Sequence, residues 1–314
     1  MKYIESIHEG ENISDVYLIK QKTSAVTKNG KPYENMILQD KTGTIDAKIW
    51  EPNSAGIEDF NALDYVQITG NVTSFNGALQ VSVQRARKCR EGEYDPADYL
   101  PVSSKNIDDM FAQITQYISG ITSPYLKQLL EAFFVNDADF IKAFKTSSAA
   151  KSVHHSFVGG LLEHTLSVTN LCNYLAEAYP MINKDLLLSV AILHDIGKTR
   201  ELSDFPENDY TDEGQLLGHI VMGYQMLKEK IDRIEGFPKK LETELLHCIL
   251  SHHGELEFGS PKLPSLIEAC ALAHADDTDA KLDIFAEEFE KTTSMDFLGV
   301  NRFLGTNIRK TSKD

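Results

Sequence analysis

The sequence predicts a multidomain β + α chain, in which a small N-terminal β-barrel is followed by an all-α helical bundle. Three observations predict this class. Apolar and polar residues alternate from about residue 13 to residue 90, as they do in strands. From about residue 106 onward, apolar residues recur at helical spacing. Between these parts, "EGEYDPADYLPVSSK" has two prolines and no periodicity, which is typical of a linker. We therefore expect domains at residues 1–90 and 106–314, joined by a linker at residues 91–105.

The barrel is predicted from five short strands with hairpin turns, packed into fewer than a hundred residues. The first strand is expected in "DVYLIK". Residues 33–50 read as two strands around the turn "DKTG", and residues 64–89 as two more around Asn76 and Gly77. Between these pairs, "SAGIEDFNAL" reads as a helix. This order of elements resembles an OB-fold of the kind that binds nucleic acids.

Lysines and aromatic residues of the barrel are candidates for contacts with a single strand of nucleic acid. Exposed aromatic rings can stack on bases while lysines follow the backbone. The alternative is a barrel that only braces the next domain, with its aromatic residues in the core. The candidates are Lys20, Lys22 and Tyr33, followed by Lys28, Lys31, Tyr17 and Phe75.

The second part of the chain has histidines and aspartates within or at the ends of mainly apolar helices. Helices are expected at residues 161–179, 184–197, 216–231, 238–253, 264–276 and 278–291. A single histidine on such a helix would be read as a core residue, but a buried polar group without a partner is costly. Several helices that each offer one to a common interior are typical of a metal site. The candidates are His164, His194, Asp195, His219, His252, His253 and Asp276.

The order H…HD…H…HH…D resembles that of the HD-domain metal-dependent phosphohydrolases, in the form that holds two metals. The resemblance implies that one ion is held by His164, His194, Asp195 and Asp276. It implies that His219, His252 and His253 hold the second ion and that Asp195 bridges the two. Imidazole and carboxylate suit Zn, Mn, Fe, Ni or Co. In "HADDTDA", Asp277 remains a substitute for Asp276 as the last ligand, and Asp279 is read as a helix-stabilising residue.

Three further residues near these segments are candidates for contact with a substrate. Lys198, one turn after the HD pair, could donate to a phosphate oxygen and act with Asp195 in catalysis. It could equally be a charge at a helix C-terminus. His154 and His155 in "VHHSFVGG" precede the first metal-binding helix and could contact the terminal ribose or phosphate. The alternative is a loop that packs on the site.

The combination of an OB-like barrel with "HHSFVGGLLEHT", "LHDIGK", "GHI" and "SHHGELEFGSPKLPSLIEACALAHADDTDAK" resembles the YhaM family of bacterial 3′–5′ exoribonucleases. The resemblance covers residues 13 to about 300. It implies an enzyme that uses two divalent ions, with Mn²⁺ favoured, to hydrolyse single-stranded RNA, and single-stranded DNA as a further substrate, to 5′-mononucleotides. The alternatives are a phosphohydrolase of small nucleotides and a binding module without catalysis.

Bulk composition neither requires nor excludes a nucleic-acid partner. The net charge is −16, unevenly spread: residues 1–104 carry 11 Lys and Arg against 15 Asp and Glu, and the remainder 20 against 32. Bound divalent ions would invert the field of an acidic half. No stretch approaches a membrane span of about 18 apolar residues, so no membrane partner is expected. The four cysteines are scattered, which predicts core residues in a cytoplasmic protein. The oligomeric state stays open, a homo-oligomer included.

Overall fold

The computed structural model describes residues 1–27, 29–75, 77–151 and 155–312. The chain divides into two compact units, Met1–Val102 and Ser103–Asp314. Each unit buries a hydrophobic cluster of its own. The predicted class, a β-barrel followed by a helical bundle, is confirmed. The boundaries predicted at residues 90 and 106 stay a prediction.

The first unit is a closed five-stranded barrel in the order β1-β2-β3-β5-β4. All neighbouring strands are antiparallel except β3 and β5, which run parallel. A five-stranded Greek-key barrel of this kind is the OB-fold, which is the fold the sequence predicted. The strands are β1 (Asn12–Val26), β2 (Pro32–Asp40), β3 (Gly43–Ile49), β4 (Tyr65–Phe75) and β5 (Ala78–Lys88).

Alternation along the strands fills the barrel interior. In β2, for example, Met36 and Leu38 are buried while their neighbours are more exposed, because successive side chains point to opposite faces. Tyr17 of β1 is also fully buried, and its hydroxyl donates to the carbonyl oxygen of Lys2 at 3.0 Å. The interpretation of Tyr17 as a base-stacking residue is therefore wrong. Of the predicted hairpin turn, Asn76 lies outside the described residues.

The helix expected at residues 54–63 is absent, so that prediction is wrong. Gly56 has a φ of +109° and Leu63 a φ of +69°, and neither value belongs to a right-handed helix. Instead Ile57 forms a parallel bridge to Ala86 of β5. Phe60 is buried with the barrel core. The segment therefore packs as an irregular loop whose two apolar residues extend the core.

The region predicted as a linker begins as part of the barrel unit. The Tyr94 ring stacks on Tyr65 of β4, with ring centroids 3.8 Å apart. Tyr99 and Leu100 are buried, and the Tyr99 carbonyl accepts a hydrogen bond from the side chain of Gln39 at 3.1 Å. Residues 91–102 are therefore held on the barrel by aromatic packing and hydrogen bonds.

The second unit is helical. A core of leucine, isoleucine, valine and phenylalanine side chains joins the helices, with α4 packed against α5 and α9. Among the described residues, no helix is long and apolar enough to cross a membrane. The helices are α1 (Ile107–Gly120), α2 (Pro124–Phe134), α3 (Ala138–Thr146), α4 (Gly160–Ala178), α5 (Lys184–Leu193), α6 (Lys198–Glu201), α7 (Asp212–Ile231), α8 (Lys239–Leu250) and α9 (Ile267–Glu290).

Three helix predictions need correction. The helix expected at residues 238–253 ends at Leu250, so His252 and His253 lie on the turn that follows α8. The helices expected at residues 264–276 and 278–291 are one continuous helix, α9. The helix expected to run to residue 197 ends at Leu193, so the HD pair lies on the turn that follows α5. Three of the four cysteines are buried as expected, but Cys270 is exposed.

Candidate metal centre

The HD pair is placed by a tight turn between α5 and α6. Gly197 ends this turn, and a Cβ built on it would lie only 2.0 Å from the carbonyl oxygen of His219. Glycine is needed because no side chain fits between the two backbones. The close approach fixes the HD turn directly against the segment of α7 that carries His219.

A kink in α7 presents His219 to the same interior. Gly218 has φ +74° and ψ +156°, which interrupts the helix one residue before the histidine. Next to this interruption, the backbone N–H of His219 donates to Glu201 Oε1 at 2.9 Å. The ring Nδ1 of His219 lies 3.0 Å from the same oxygen. Glu201 thus orients both the backbone and the ring of His219.

Three elements bring the first group of predicted ligands together. His164 comes from α4, His194 from the end of α5 and Asp276 from α9. His164 Nε2 lies 3.1 Å from Asp276 Oδ1 and 3.2 Å from His194 Nε2. One ligand atom from each of the three lies within 4.8 Å of the others.

The second group consists of His219, His252 and His253, whose ligand atoms also lie within 4.8 Å of one another. Asp195 lies between the two groups. Its Oδ2 is 3.5 Å from His164 Nε2. Its Oδ1 is 3.5 Å from His219 Nε2 and 3.6 Å from His252 Nε2. The two carboxylate oxygens therefore face different groups, as a bridging ligand would require.

All five histidines present Nε2 to the centre because each Nδ1 is within hydrogen-bond distance of an oxygen behind it. Such a contact fixes the tautomer and the orientation of a metal-binding imidazole. The Nδ1 partners are Asp279 for His164 at 2.7 Å, Ala191 O for His194 at 2.8 Å, Glu201 for His219 at 3.0 Å, Ile249 O for His252 at 2.7 Å and Phe258 O for His253 at 2.8 Å.

The donor atoms fit divalent cations. Among the described residues, the buried Asp195 Oδ1 and His252 Nε2 have no hydrogen-bond partner. Buried polar atoms are normally satisfied, and a bound cation would satisfy both. His219 Nε2 and His253 Nε2 face each other at 3.3 Å. Two imidazole lone pairs at that distance repel unless a proton or a metal lies between them. Nitrogen and carboxylate oxygen together are a donor set for divalent transition metals.

The contacts within the centre also determine the protonation of His164 and Asp195 in the metal-free protein. Burial opposes a charge on His164, but hydrogen bonds to Asp276 and Asp279 outweigh it and raise the pKa of the ring to about 10. Burial alone would raise the pKa of Asp195, yet Lys198 and His194 hold that pKa well below its usual range. The bridging carboxylate is thus ionised, which is the form that binds metal.

Lys198 points back at the HD pair. Its Nζ lies 2.6 Å from Asp195 Oδ2. Burial opposes the charge on the amine, but the attraction of Asp195 prevails and raises the pKa of Lys198 above its ordinary value. Lys198 also lines a cleft of about 340 Å³ onto which His164, His219 and Asp276 open. A permanent positive charge therefore stands at the wall of the cleft.

The structure separates the three aspartates of "HADDTDA". Asp276 reaches the centre, whereas Asp277 is exposed at the cleft and pairs with Lys281 at 2.8 Å. Asp279 accepts hydrogen bonds from His164 and from the hydroxyl of Ser167. The interpretation of Asp279 as a helix-stabilising residue is therefore wrong. The sequence signal was its spacing, since residues three apart share one face of a helix.

His155 lies behind the centre. Its ring is buried, and its Nε2 is 3.2 Å from Asp279 Oδ2, on the chain of contacts that leads to His164. Its backbone N–H donates to Asp283 at 3.1 Å. Contact of His155 with substrate stays a prediction, and these contacts favour a role in positioning. His154 lies outside the described residues.

The barrel candidates differ in what they contact. Lys20 and Lys31 are exposed. The Lys22 amine donates to the Phe60 carbonyl at 2.6 Å and pairs with Glu34 at 3.1 Å. It therefore braces the loop that covers the barrel. Lys28 lies outside the described residues.

Tyr33 belongs to an aromatic surface that the sequence predicted only in part. Its ring stacks on Trp50 with centroids 5.3 Å apart. The Lys48 amine lies 5.5 Å from the Tyr33 ring, 5.3 Å from Trp50 and 5.7 Å from Phe75. Trp50 and Phe75 are both exposed. Trp50 and Lys48 were missed, although Trp50 is the one tryptophan of the chain and ends a predicted strand.

Comparison with known proteins agrees with this architecture. Residues 161–281 match the HD domain family. The chain is 34% identical over 289 residues to the 3′-5′ exoribonuclease YhaM of a Geobacillus species, a match covering 92% of this chain and 88% of that protein. It is also 34% identical over 287 residues to the protein of the same name from Bacillus velezensis, with 91% and 90% covered.

Among solved structures, the second OB-fold domain of replication protein A from Methanococcus maripaludis is similar at 20% identity. That match covers 30% of this chain and 98% of that chain, with a TM-score of 0.22.

The two curated relatives span nearly the whole chain, and the HD family falls on the segment that carries the clustered histidines and aspartates. The chain belongs to the YhaM family of 3′–5′ exoribonucleases.

Proposed function

We propose that this protein degrades single-stranded RNA from its 3′ end and releases 5′-mononucleotides. The observation that carries the proposal is the pair of histidine groups on either side of the buried Asp195 carboxylate. Two relatives that this chain matches over most of their length are each named a 3′-5′ exoribonuclease, which supports the substrate and the direction. Single-stranded DNA is a second substrate to be tested.

The two groups would hold two divalent ions, with Mn²⁺ our preferred identity. His164, His194, Asp195 and Asp276 would hold one ion. When bound, such ions activate water and neutralise the charge that develops on a phosphodiester. The proposal of two ions, rather than one, is supported by the two Asp195 oxygens, which face different histidine groups. The remaining histidines, His219, His252 and His253, would hold the second ion.

The chain's own residues would orient the phosphodiester. Lys198 lies on the cleft wall and can donate to a non-bridging phosphate oxygen. Its ion pair with Asp195 holds the amine in place before the substrate arrives. A preorganised charge of this kind stabilises the transition state without reorganisation during the reaction. Lys198 would therefore act in catalysis, while Asp195 would hold both the ions and Lys198.

The barrel would grip the strand. On the outer surface of the barrel, the Lys48 amine lies 5.3–5.7 Å from the centroids of three aromatic rings, those of Tyr33, Trp50 and Phe75. Exposed aromatic rings with a cation among them suit a single strand, because bases stack on the rings and phosphates meet the amine. Lys20 is exposed on β1 and could add to this surface. We retain the division into a binding domain, a linker and a catalytic domain as part of this proposal.

The cellular compartment is also a proposal. All four cysteines, each within the described residues, are free thiols. Free thiols are typical of a reducing compartment. We therefore propose that the enzyme acts in the cytoplasm.

The direct test is a 5′-labelled oligoribonucleotide followed over time with Mn²⁺, and again with a chelator. The proposal predicts a ladder that shortens one nucleotide at a time and no products when the metal is removed. The same sequence as DNA measures the preference between the two nucleic acids. Immediate release of a labelled mononucleotide, or cleavage of a circular RNA, would contradict the proposed direction.

A further inference from the structure

Two exposed aromatic rings stand at the cleft beside the metal centre. Tyr210 is 46% exposed and Phe258 is 63% exposed, and both line the cleft onto which Lys198 and His219 open. A single exposed aromatic side chain is ordinary on a protein surface. Two on the walls of one small cleft, next to a site for phosphate chemistry, point to a flat and apolar part of the ligand.

Both rings are carried by backbone that also orients the histidines. The Phe258 carbonyl is the hydrogen-bond partner of His253 Nδ1 at 2.8 Å. Tyr210 forms an antiparallel bridge to Leu202, the residue after Glu201, which orients His219. The backbone that carries each ring is therefore tied to the second histidine group. A phosphate bound at the centre would place its attached nucleoside in the cleft that Tyr210 and Phe258 line.

The rest of the cleft combines apolar and charged side chains. Ala149, Ala150 and Ala280 are small and apolar, while Lys151, Glu201 and Asp277 are charged. The Lys151 amine lies 5.9 Å from the centroid of the Tyr210 ring and pairs with Asp209. The cleft volume of about 340 Å³ lies near the lower limit of small-molecule pockets, which is roughly 300 Å³. That space suits one nucleotide rather than a folded strand.

We propose that Tyr210 and Phe258 form the binding site for the base of the 3′-terminal nucleotide and hold it by stacking. This inference rests on the proposed function, because it assigns a subsite to the same substrate. Every base has a π-face, so stacking holds any of the four without sequence preference. Stacking would also keep the terminal nucleotide in register with Lys198 after each cycle.

The first experiment changes the substrate and uses the wild-type protein. Two oligoribonucleotides of one sequence would end either in an ordinary nucleotide or in an abasic ribose with a free 3′ hydroxyl. We expect kcat/KM for removal of the abasic end to be lower by roughly 5- to 150-fold, the range for loss of one stacked base. Equal rates would overturn the base site while leaving the exoribonuclease intact. Failure to shorten either substrate would instead contradict the proposed function.

The second experiment changes the protein. Tyr210→Ala and Phe258→Ala should lower kcat/KM for the ordinary end but leave the abasic end nearly unaffected, because that end has no base to lose. Phe258→Ala keeps the backbone carbonyl that faces His253. Tyr210→Phe should restore the difference between the two ends, since it keeps the ring. Equal slowing of both ends by the alanine variants would overturn the proposal, because it would show a structural effect.

The matched control is Tyr179→Ala. Tyr179 follows the last residue of α4, is 52% exposed and does not line the cleft. This variant should keep the wild-type rates on both substrates. If it reduced the difference between the two ends as strongly as Tyr210→Ala does, the assignment of the base site to the cleft would be overturned.

Discussion

Asp279 lies behind the candidate metal centre and contacts one of its histidines, His164. Its carboxylate accepts hydrogen bonds from His164 and Ser167 and contacts His155. Motif spacing predicted the residues that face the centre, because a polar side chain on a buried apolar helix is costly unless it has a partner. The spacing of Asp279 places it on the same face as Asp276, but the partner that it or Glu201 meets depends on the packing of α4, α6, α7 and α9.

We expect Asp279→Ala to weaken metal binding by about 10- to 100-fold, the usual cost of losing the partner of a ligating histidine. Asp279→Asn should lose less, because an amide oxygen can still accept from His164. Metal titration of the chelator-treated protein measures both variants. Glu288→Ala is the control, since Glu288 pairs with Lys291 near the end of the same helix and does not line the cleft. Wild-type affinity in Asp279→Ala would contradict the positioning role.

Protonation of His164 predicts how metal binding depends on pH. Because its pKa is raised to about 10 in the metal-free protein, the ring carries a proton at pH 7 to 9 that an ion must displace from Nε2. Metal affinity should therefore rise with pH until it levels off near pH 10. Binding at pH 7.5 should release about one proton from this ring.

Calorimetric titrations in buffers of different ionisation enthalpy measure that proton. His164→Ala supplies the comparison, because it removes the titrating ring. A metal affinity that stays flat between pH 7 and 9 would show that His164 is already neutral and would contradict the expectation.

At the scale of elements, the sequence predicted where helices carry function better than where they end. The helix before the HD pair was expected to continue to residue 197, since its apolar pattern has no proline to stop it. It ends at Leu193, and Gly197 then lets the turn touch α7. Likewise the sequence predicts two helices, separated at the run of aspartates, where the structure has the single helix α9. A continuous helix accommodates them because Asp276 and Asp279 face inward while Asp277 faces Lys281.

Gly197→Ala tests the contact between the HD turn and α7. Its Cβ would lie 2.0 Å from the carbonyl oxygen of His219, so one backbone must move. We expect a loss of about 1–3 kcal/mol in the free energy of unfolding, the usual cost of overpacking. Metal affinity should fall with it, because the turn carries both His194 and Asp195.

Gly120→Ala is the matched control for that variant. Gly120 ends α1, and a Cβ there would meet no atom within 4 Å. Alanine is the better helix former, so stability should stay equal or rise slightly. Thermal unfolding and metal titration measure both variants. If Gly197→Ala unfolded at the same temperature as Gly120→Ala, the close contact would be of no consequence.

At the scale of the whole molecule, two folds with different periodicities were predictable because a strand and a helix bury apolar residues at different spacings. The aromatic surfaces of the barrel and of the cleft were not predictable from the sequence. Trp50 with Lys48 on the barrel, and Tyr210 with Phe258 on the cleft, are formed by residues distant in sequence that carry no shared pattern. A net charge of −12 for the helical part, from 20 basic and 32 acidic residues, likewise gave no sign of the Lys198 amine beside Asp195.

A truncated chain from Ser103 to Asp314 tests the proposed division of labour. Every candidate ligand and a separate hydrophobic core lie in that unit, so it should still cleave a chromogenic phosphodiester with metal present. It should bind long RNA more weakly and with a shallower dependence on salt, because fewer phosphate contacts remain. Filter binding across salt concentrations measures this. A folded, metal-loaded truncated chain that cannot cleave the small ester would contradict the division.

The central claim is that Asp195 joins two metal sites into one catalytic centre. The most direct measurement is Mn²⁺ titration of the chelator-treated wild-type protein and of Asp195→Ala, with bound metal and RNA hydrolysis followed together. We expect wild-type activity to saturate at two bound ions per chain. Asp195→Ala should keep its helical circular dichroism, bind metal weakly and leave RNA intact. Full activity at one bound ion, or near-normal turnover by Asp195→Ala, would contradict it.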